Sequence, residues 1–283
     1  MYNAIVIAGP TGVGKTDLSI KLAKKLNAKI ISADASQVYR KLDIGTAKIT
    51  KEEMQGIEHY LIDVVDPSKT YSVGDFYEEA NKILNDNKDT TFLIVGGTGL
   101  YIQSITDGLT QMPSFDVDYR KKLESMSIDE LLKLLSEDEK NEIDVHNKVR
   151  VIRKIEKRGI EYNNIKGNDR KFLKIFLTRD RSVLYDNINK RVDKMIENGL
   201  VNEALEIYKI YGDKVKSIGY KELFMYFKGE VSLSYAIEKI KVNSRRYAKR
   251  QFTWFKNKGY ITYNLDYENI DNIIKDIRGR YGN

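Results

Sequence analysis

The sequence predicts an α/β fold, a parallel β-sheet flanked by helices and interrupted by a small all-helical insertion. Three observations predict it. Short β-branched apolar runs alternate with amphipathic helical stretches, the pattern of parallel βαβ units. The first apolar run passes straight into a glycine-rich turn, as a buried strand does at its carboxyl end. From about Asp116 to Gly167 no strand-like run occurs, only short charged helical segments.

The elements follow in order. Asn3–Ala8 is short, apolar and β-branched, a buried strand. Asp17 to Leu26 carries Leu18, Leu22 and Leu26 four apart, which predicts an amphipathic helix. Lys29–Ser32 reads as a second strand, Tyr60–Val65 as a third and Thr91–Val95 as a fourth, the last ending in Gly96-Gly97-Thr98-Gly99. Lys174–Thr178 is a fifth, and the pattern is then mostly helical to about Phe255. Leu131, Leu132, Leu134 and Leu135 form one apolar patch in the insertion. The predicted division is therefore a core of residues 1–115 and 168–283, with residues 116–167 inserted. No repeat and no Pro-rich linker punctuates the chain.

Composition narrows the chemistry. The 283 residues contain no Cys and 2 His, which argues against disulfide scaffolds, zinc–thiolate sites and thiol catalysis. Hydrophobic residues at 41% suffice for a packed core. The first ten residues lack a basic leader region, and no apolar run approaches the ~18–20 residues of a membrane span. The expectation is a soluble cytoplasmic protein without a membrane partner.

Gly9-Pro10-Thr11-Gly12-Val13-Gly14-Lys15-Thr16 fits G-x-x-x-x-G-K-[ST] between a strand and a helix. Glycines let backbone N–H groups wrap an anion, and the helix N-terminus adds its partial positive charge. Lys15 reaches distal phosphates and the Thr16 hydroxyl can ligate Mg²⁺. The cradle and the element order together predict a P-loop NTPase-like sheet. An ATPase would want an acidic residue closing an apolar strand. Phe92–Val95 instead ends in Gly96-Gly97-Thr98, and Leu61–Asp66 has acids but an interrupted apolar run. The balance favours a diphosphate-bearing substrate over an ATP-driven machine.

Asp34 follows the second strand, beyond the carboxyl end where ligands of parallel sheets bind. It can serve as a general base, as an indirect Mg²⁺ ligand, or simply as a turn or N-cap residue. Gln37 offers both a donor and an acceptor, which suits an adenine edge.

Several segments together resemble the bacterial tRNA dimethylallyltransferases, also called tRNA isopentenyltransferases. They are Gly9–Thr16; Ile31–Asp34 through Gln37–Arg40; Leu42–Lys48; His59–Asp63 with Asp66-Pro67 and Tyr71–Val73; Val95–Ile102; Arg150–Arg153; Ile188–Val192; Ser217–Leu223; and Arg245–Gln251 with Thr253–Phe255. They occur in the family's order and span nearly the whole chain. The resemblance implies transfer of a dimethylallyl group from dimethylallyl diphosphate to N6 of the adenosine at position 37 of tRNA. It implies Asp34 as the base, Thr98 as a second partner at the reaction centre, and Arg191 as a further diphosphate clamp. From its residues alone, Arg191 reads equally as a solvated ion-pair partner.

The resemblance also implies tRNA contacts at Asp34, Ala35, Ser36, Gln37, Thr98 and Arg120. Further contacts fall on Val149, Arg150, Val151, Ile152 and Arg153, and on Lys216, Ser217, Ile218, Gly219, Tyr220 and Lys221. Tyr39 or Tyr220 could stack on splayed bases of the anticodon stem-loop, or simply pack in the core. The implied cofactor is Mg²⁺ and the implied state a monomer. The chain departs from the family's wording at Ala35, where Ser is common, at Ile49, where Pro is common, around Val145-His146-Asn147, and at Val149. Rival readings are an adenylate isopentenyltransferase, a P-loop nucleotide kinase and a non-catalytic P-loop RNA-binding module.

The formal charge of +7 is concentrated in one place. Between Lys239 and Leu265 stand Lys239, Lys241, Arg245, Arg246, Lys249, Arg250, Lys256 and Lys258, with no acid among them. An apolar line of Ile240, Ala248, Phe252 and Phe255 runs beside them. The segment reads either as a solvated amphipathic helix or as a phosphate-binding surface, with Arg245, Arg246, Lys249 and Arg250 as its tRNA contacts.

Overall fold

A computed structural model describes residues 2–111, 116–158 and 163–282. Six parallel strands form the main sheet: β1 (Ala4–Ala8), β2 (Lys29–Ala33), β3 (His59–Tyr60), β4 (Phe92–Gly96), β7 (Phe172–Thr178) and β8 (Ile261–Asn264), in the spatial order β3-β2-β4-β1-β7-β8. β5 (Leu109–Gln111) and β6 (Asn163–Ile165) pair antiparallel in a separate ribbon. The P-loop NTPase-like α/β sheet expected from the sequence is the fold observed.

Both faces of the sheet are covered, so alternate side chains of one strand enter different cores. In β1, Ile5 and Ile7 join Leu18 and Leu22 of α1 (Lys15–Leu26). Val6 and Ala8 point the other way, to Phe76, Ala80 and Leu84 of α3 (Val73–Asp86) and Ile102 and Ile105 of α4 (Gly99–Thr106). The short helix α2 (Lys51–Met54) precedes β3. A third core joins Val192 of α9 (Arg181–Glu197), Leu200 and Ala204 of α10 (Leu200–Tyr211), Tyr220 and Leu223 of α11 (Tyr220–Phe227), and Ile240 of α12 (Leu233–Phe255). Ile273 and Ile277 of α13 (Ile270–Gly282) close the α1 face.

The inserted unit runs from Leu109 to Lys166 and carries β5, β6, α5 (Val117–Ser125), α6 (Ile128–Lys133), α7 (Glu137–Asn141) and α8 (Lys148–Glu156). It has its own core of Leu123, Leu131, Leu135, Val151, Ile152 and Ile155. Two expectations are corrected here. The unit starts seven residues before position 116 and is not all-helical, because Leu109 pairs with Ile165 across the β5–β6 ribbon. The leucine patch splits, with Leu131 and Leu135 buried and Leu134 at 39% exposure.

Two strand expectations also change. The third strand stops at Tyr60 because Leu61 and Asp63 adopt positive φ (61° and 57°), and only an isolated bridge between Tyr39 and Val65 follows. β8 was not expected, since its Ile-Thr-Tyr-Asn is too short to stand out as a periodic run. No helix among the described residues is long and apolar enough to cross a membrane.

Candidate active site

The phosphate cradle lies between β1 and α1. Gly12 and Gly14 hold φ of +79° and +110°, the left-handed region that a side chain disfavours, and so turn the chain back into the helix. The eight motif residues divide the work. Val13 is fully buried. Gly9 and Pro10 turn their carbonyls on the Lys15 ammonium at 3.0 and 2.9 Å. Thr11, Gly12, Gly14, Lys15 and Thr16 line a cavity of about 1420 Å³ in the main unit.

Register brings the catalytic candidates together. Ala33 of β2 pairs with Gly96 of β4, so the two strands end side by side. Asp34 and Thr98 follow within two residues of those ends. Thr98 Oγ1 accepts the Ala35 N–H at 3.0 Å, and Thr98 N–H donates to Ala33 O at 3.1 Å. Thr98 therefore braces the Asp34 loop from behind. Asp34 Oδ1 accepts the N–H groups of Ser36 and Gln37 at 2.9 and 3.3 Å, an Asx turn. Its Oδ2 has no hydrogen-bond partner among the described residues, and Asp34 lines the cavity. The turn reading and the base reading thus fall on different oxygens of one carboxylate.

Arg191 comes from α9 and lines the same cavity. One nitrogen donates to Thr11 Oγ1 at 2.6 Å and another to Thr46 O at 3.1 Å. It forms no ion pair among the described residues, which sets aside the solvated-pair reading. Burial pushes its pKa down, opposed by the charge of Asp34. Burial also lowers Lys15, to about 8, with Asp34 raising it and Arg191 adding to the decrease. Lysines and arginines, Lys15 and Arg191 among them, outnumber the three carboxylates of the cavity lining, Asp34, Glu53 and Asp213, which leaves it short of negative charge.

Two site residues were not singled out individually from the sequence. Gln251 of α12 accepts the Thr11 N–H at 2.9 Å and donates to Gly97 O at 3.0 Å, so one buried amide ties the cradle to the Thr98 turn. Tyr247, one helical turn earlier, lines the cavity. Burial and the nearby Asp34 charge push its hydroxyl up to about 12, so it stays protonated.

Gln37 is engaged within the protein. Its Oε1 accepts from Ser32 Oγ at 3.4 Å and its Nε2 donates to Ala47 O at 3.2 Å. Ser36 Oγ lies 3.4 Å from Ser217 Oγ, which brings the segments at 34–37 and 216–221 together. Lys216 and Lys221 are exposed, Ile218 is half-buried and Gly219 is buried. Of the two readings open for Tyr220, packing is the one observed and stacking is not, since its ring is completely buried and its hydroxyl donates to Glu203. Tyr39 is half-buried, and its hydroxyl accepts the Tyr71 N–H at 3.3 Å.

In the inserted unit, Val149, Arg150 and Arg153 are exposed on α8. Val151 and Ile152 face its core, so their side chains cannot contact RNA as expected. Arg120 pairs with Glu124 at 3.2 Å and with the buried Glu156 at 3.3 Å. On α12, Lys241 pairs with Asp193 at 2.5 Å and Arg245 with Glu238 at 3.3 Å. Arg246, Lys249 and Arg250 are exposed. Ile240, Ala248 and Phe255 are buried as the apolar line requires, but Phe252 is 40% exposed.

For Mg²⁺, the donors fit without a dedicated cage. Thr16 and Asp34 line one cavity, and an ion that keeps waters and takes substrate oxygens needs few protein ligands.

The chain is similar throughout its length to proteins of known family. The family described as IPP transferase matches residues 37–258. The tRNA dimethylallyltransferase of Fusobacterium nucleatum subsp. nucleatum is 52% identical over 98% of this chain and 96% of its own length. That of Clostridioides difficile strain 630 is 44% identical over 96% and 95%. The solved full-length tRNA isopentenylpyrophosphate transferase of Bacillus halodurans superposes with a TM-score of 0.78 at 41% identity, covering 100% of this chain and 97% of that one. A eukaryotic dimethylallyltransferase acting on tRNA gives 0.80 at 27% identity, covering 99% and 80%. A family match over residues 37–258 and relatives 52% and 44% identical along nearly the whole chain leave one assignment: the chain belongs to the IPP transferase family.

Proposed function

We propose that the protein transfers the dimethylallyl group of dimethylallyl diphosphate to N6 of the adenosine at position 37 of tRNA, releasing diphosphate. The observation that carries this reading is one cavity holding both halves of the chemistry. Lys15 and Arg191 supply positive charge, and Asp34 presents an Oδ2 that has no hydrogen-bond partner among the described residues.

The adenine amine attacks the allylic carbon bonded to the diphosphate oxygen. A carbon–nitrogen bond forms, the carbon–oxygen bond breaks, and its electron pair leaves on the diphosphate. Negative charge develops on the leaving oxygens, where cradle N–H groups, Lys15 and Arg191 stabilise it. The N6 proton passes to Asp34 Oδ2 while Oδ1 stays anchored in its turn. Thr98 holds the Asp34 loop, and the protonated Tyr247 stands beside it as a neutral donor. Thr16 and, through water, Asp34 would hold Mg²⁺. The ion supplies charge neutralisation of the diphosphate.

The RNA partner is the anticodon stem-loop of tRNA, whose adenosine must leave its stack to reach the cavity. Lys216, Lys221, Arg246, Lys249 and Arg250 are exposed cations of the main unit suited to its phosphates, and Arg150 and Arg153 are those of the inserted unit. The protein works as a monomer in the cytoplasm, where its RNA substrate is.

The test is incubation with dimethylallyl diphosphate, Mg²⁺ and unmodified tRNA, followed by mass analysis of the nucleosides. Adenosine heavier by one dimethylallyl group, with diphosphate released and no need for ATP, is the expected result. Turnover of free AMP in place of tRNA, or a strict need for ATP as phosphoryl donor, would overturn the reading.

A further inference from the structure

We infer that Glu203 is a positioning residue that sets the Arg191 clamp by gripping the backbone of the Asp43–Ala47 loop. The inference rests on the reading of Arg191 as a diphosphate contact.

Glu203 projects from α10 and its carboxylate is engaged by four donors. Oε2 accepts the N–H groups of Asp43 and Ile44 at 3.1 and 2.8 Å. Oε1 accepts the Gly45 N–H at 3.0 Å and the Tyr220 hydroxyl at 2.6 Å. No lysine or arginine lies within ion-pair distance of it among the described residues. A half-buried carboxylate satisfied by three consecutive backbone N–H groups fixes backbone position, because each bond constrains a neighbouring peptide plane.

The loop's other side faces the cavity. Thr46 O accepts from Arg191 at 3.1 Å, and Ala47 O accepts from Gln37 at 3.2 Å. The loop is thus held from one side by an anion and presents carbonyls to a cation and an amide on the other. Moving it by a fraction of an ångström moves the anchor that aims the Arg191 guanidinium at Thr11 Oγ1.

Tyr220 explains the fit. A Cβ on Gly45 would lie 2.6 Å from the Tyr220 ring, so the glycine lets the loop close on the aromatic face. The buried ring and its hydroxyl also hold Glu203 in place. Three helices, α9, α10 and α11, therefore converge on one five-residue loop.

The experiment titrates the full-length protein with inorganic diphosphate and Mg²⁺ by calorimetry, in the Glu203→Gln, Tyr220→Phe and Arg191→Ala backgrounds. Glu203→Gln should weaken diphosphate binding about tenfold alone and less than twofold when Arg191→Ala is present, the non-additivity of a residue acting through another. Tyr220→Phe removes one donor of four and should give a smaller loss with the same dependence on Arg191. Equal losses in both backgrounds, or no loss from either substitution, would overturn the inference. If Glu203→Gln does not fold, Tyr220→Phe carries the test by the same criterion. The readout uses neither the dimethylallyl group nor tRNA. A failed transfer assay therefore counts against the proposed reaction and leaves this result standing.

Discussion

The desolvated Lys15 makes diphosphate binding depend on pH in a direction fixed by the structure. Burial lowers Lys15 from 10.5 to about 8 in the free protein. The free site therefore sheds this proton as pH rises through 8, and a bound polyanion needs it back. Affinity must fall as pH rises above that point, by up to about one decade per unit. A lysine with a pKa of 8 is about nine-tenths charged at pH 7 and about one-tenth charged at pH 9, so the loss between them is about tenfold. Lys15→Arg keeps its charge across this range, because arginine does not titrate there. Calorimetric titration of both proteins with inorganic diphosphate at constant Mg²⁺ removes the ligand's own ionisation, which is common to the two. The wild-type curve should drop about tenfold relative to the variant between pH 7 and 9. Parallel curves would refute the argument that Lys15 enters the free site partly deprotonated and binds as the cation.

Other expectations follow from named contacts. Asp34→Asn should lower turnover by roughly 10²–10⁴ while leaving diphosphate and tRNA binding within about twofold, as separate binding and single-turnover assays will show. Gln251→Leu orphans Thr11 N–H and Gly97 O together, and urea unfolding should register a loss of roughly 2–6 kcal/mol. Thr98→Val removes the acceptor for Ala35 N–H, so kcat should fall more than KM for either substrate rises. Reversing Arg246 and Lys249 to Glu should flatten the dependence of tRNA affinity on salt, the slope changing by about one for each phosphate no longer neutralised.

The sheet was legible because its signals are local. Asn3–Ala8, Lys29–Ser32 and Thr91–Val95 are runs of consecutive apolar residues ending at recognisable turns, and the cradle's eight residues are contiguous. β8 and the β5–β6 ribbon were not legible, since four and three residues carry too little periodicity. The Tyr60–Val65 expectation failed on backbone conformation. Leu61 and Asp63 turn left-handed; Asp enters that region more readily than most residues, but Leu gives no sign of it. Within the site, Asp34 could be placed from its strand. Gln251 and Glu203 could not, because their partners lie 240 and about 160 residues away in sequence. What aims the cradle is therefore tertiary, while what composes it is local.

The same distinction applies to charge. The Lys239–Leu265 segment contains no acid, yet its cations are not all free, because helices supply acids from outside the segment. Asp193 on α9 takes Lys241, and Glu238, one residue before the segment begins, takes Arg245. Both pairs lie on the side of α12 that packs against α9, where Arg245 also donates to Asn189 at 2.5 Å. Lys258 lies 4.0 Å from the centre of the Trp254 ring, and Arg250 lies 5.6 Å from that of Tyr247. An exposed cation held over a ring keeps its charge for a phosphate and loses conformational freedom before binding, which favours association. The segment therefore divides by helix face: its inner cations fix α12, and so Gln251 and Tyr247, against the cradle. Its outer ones, Arg246, Lys249 and Arg250, with the exposed Lys256 and Lys258 just past the helix end, are the charges left for a polyanion. The basic run is both a strut for the active site and an exposed cationic surface, and its sequence shows only the sum.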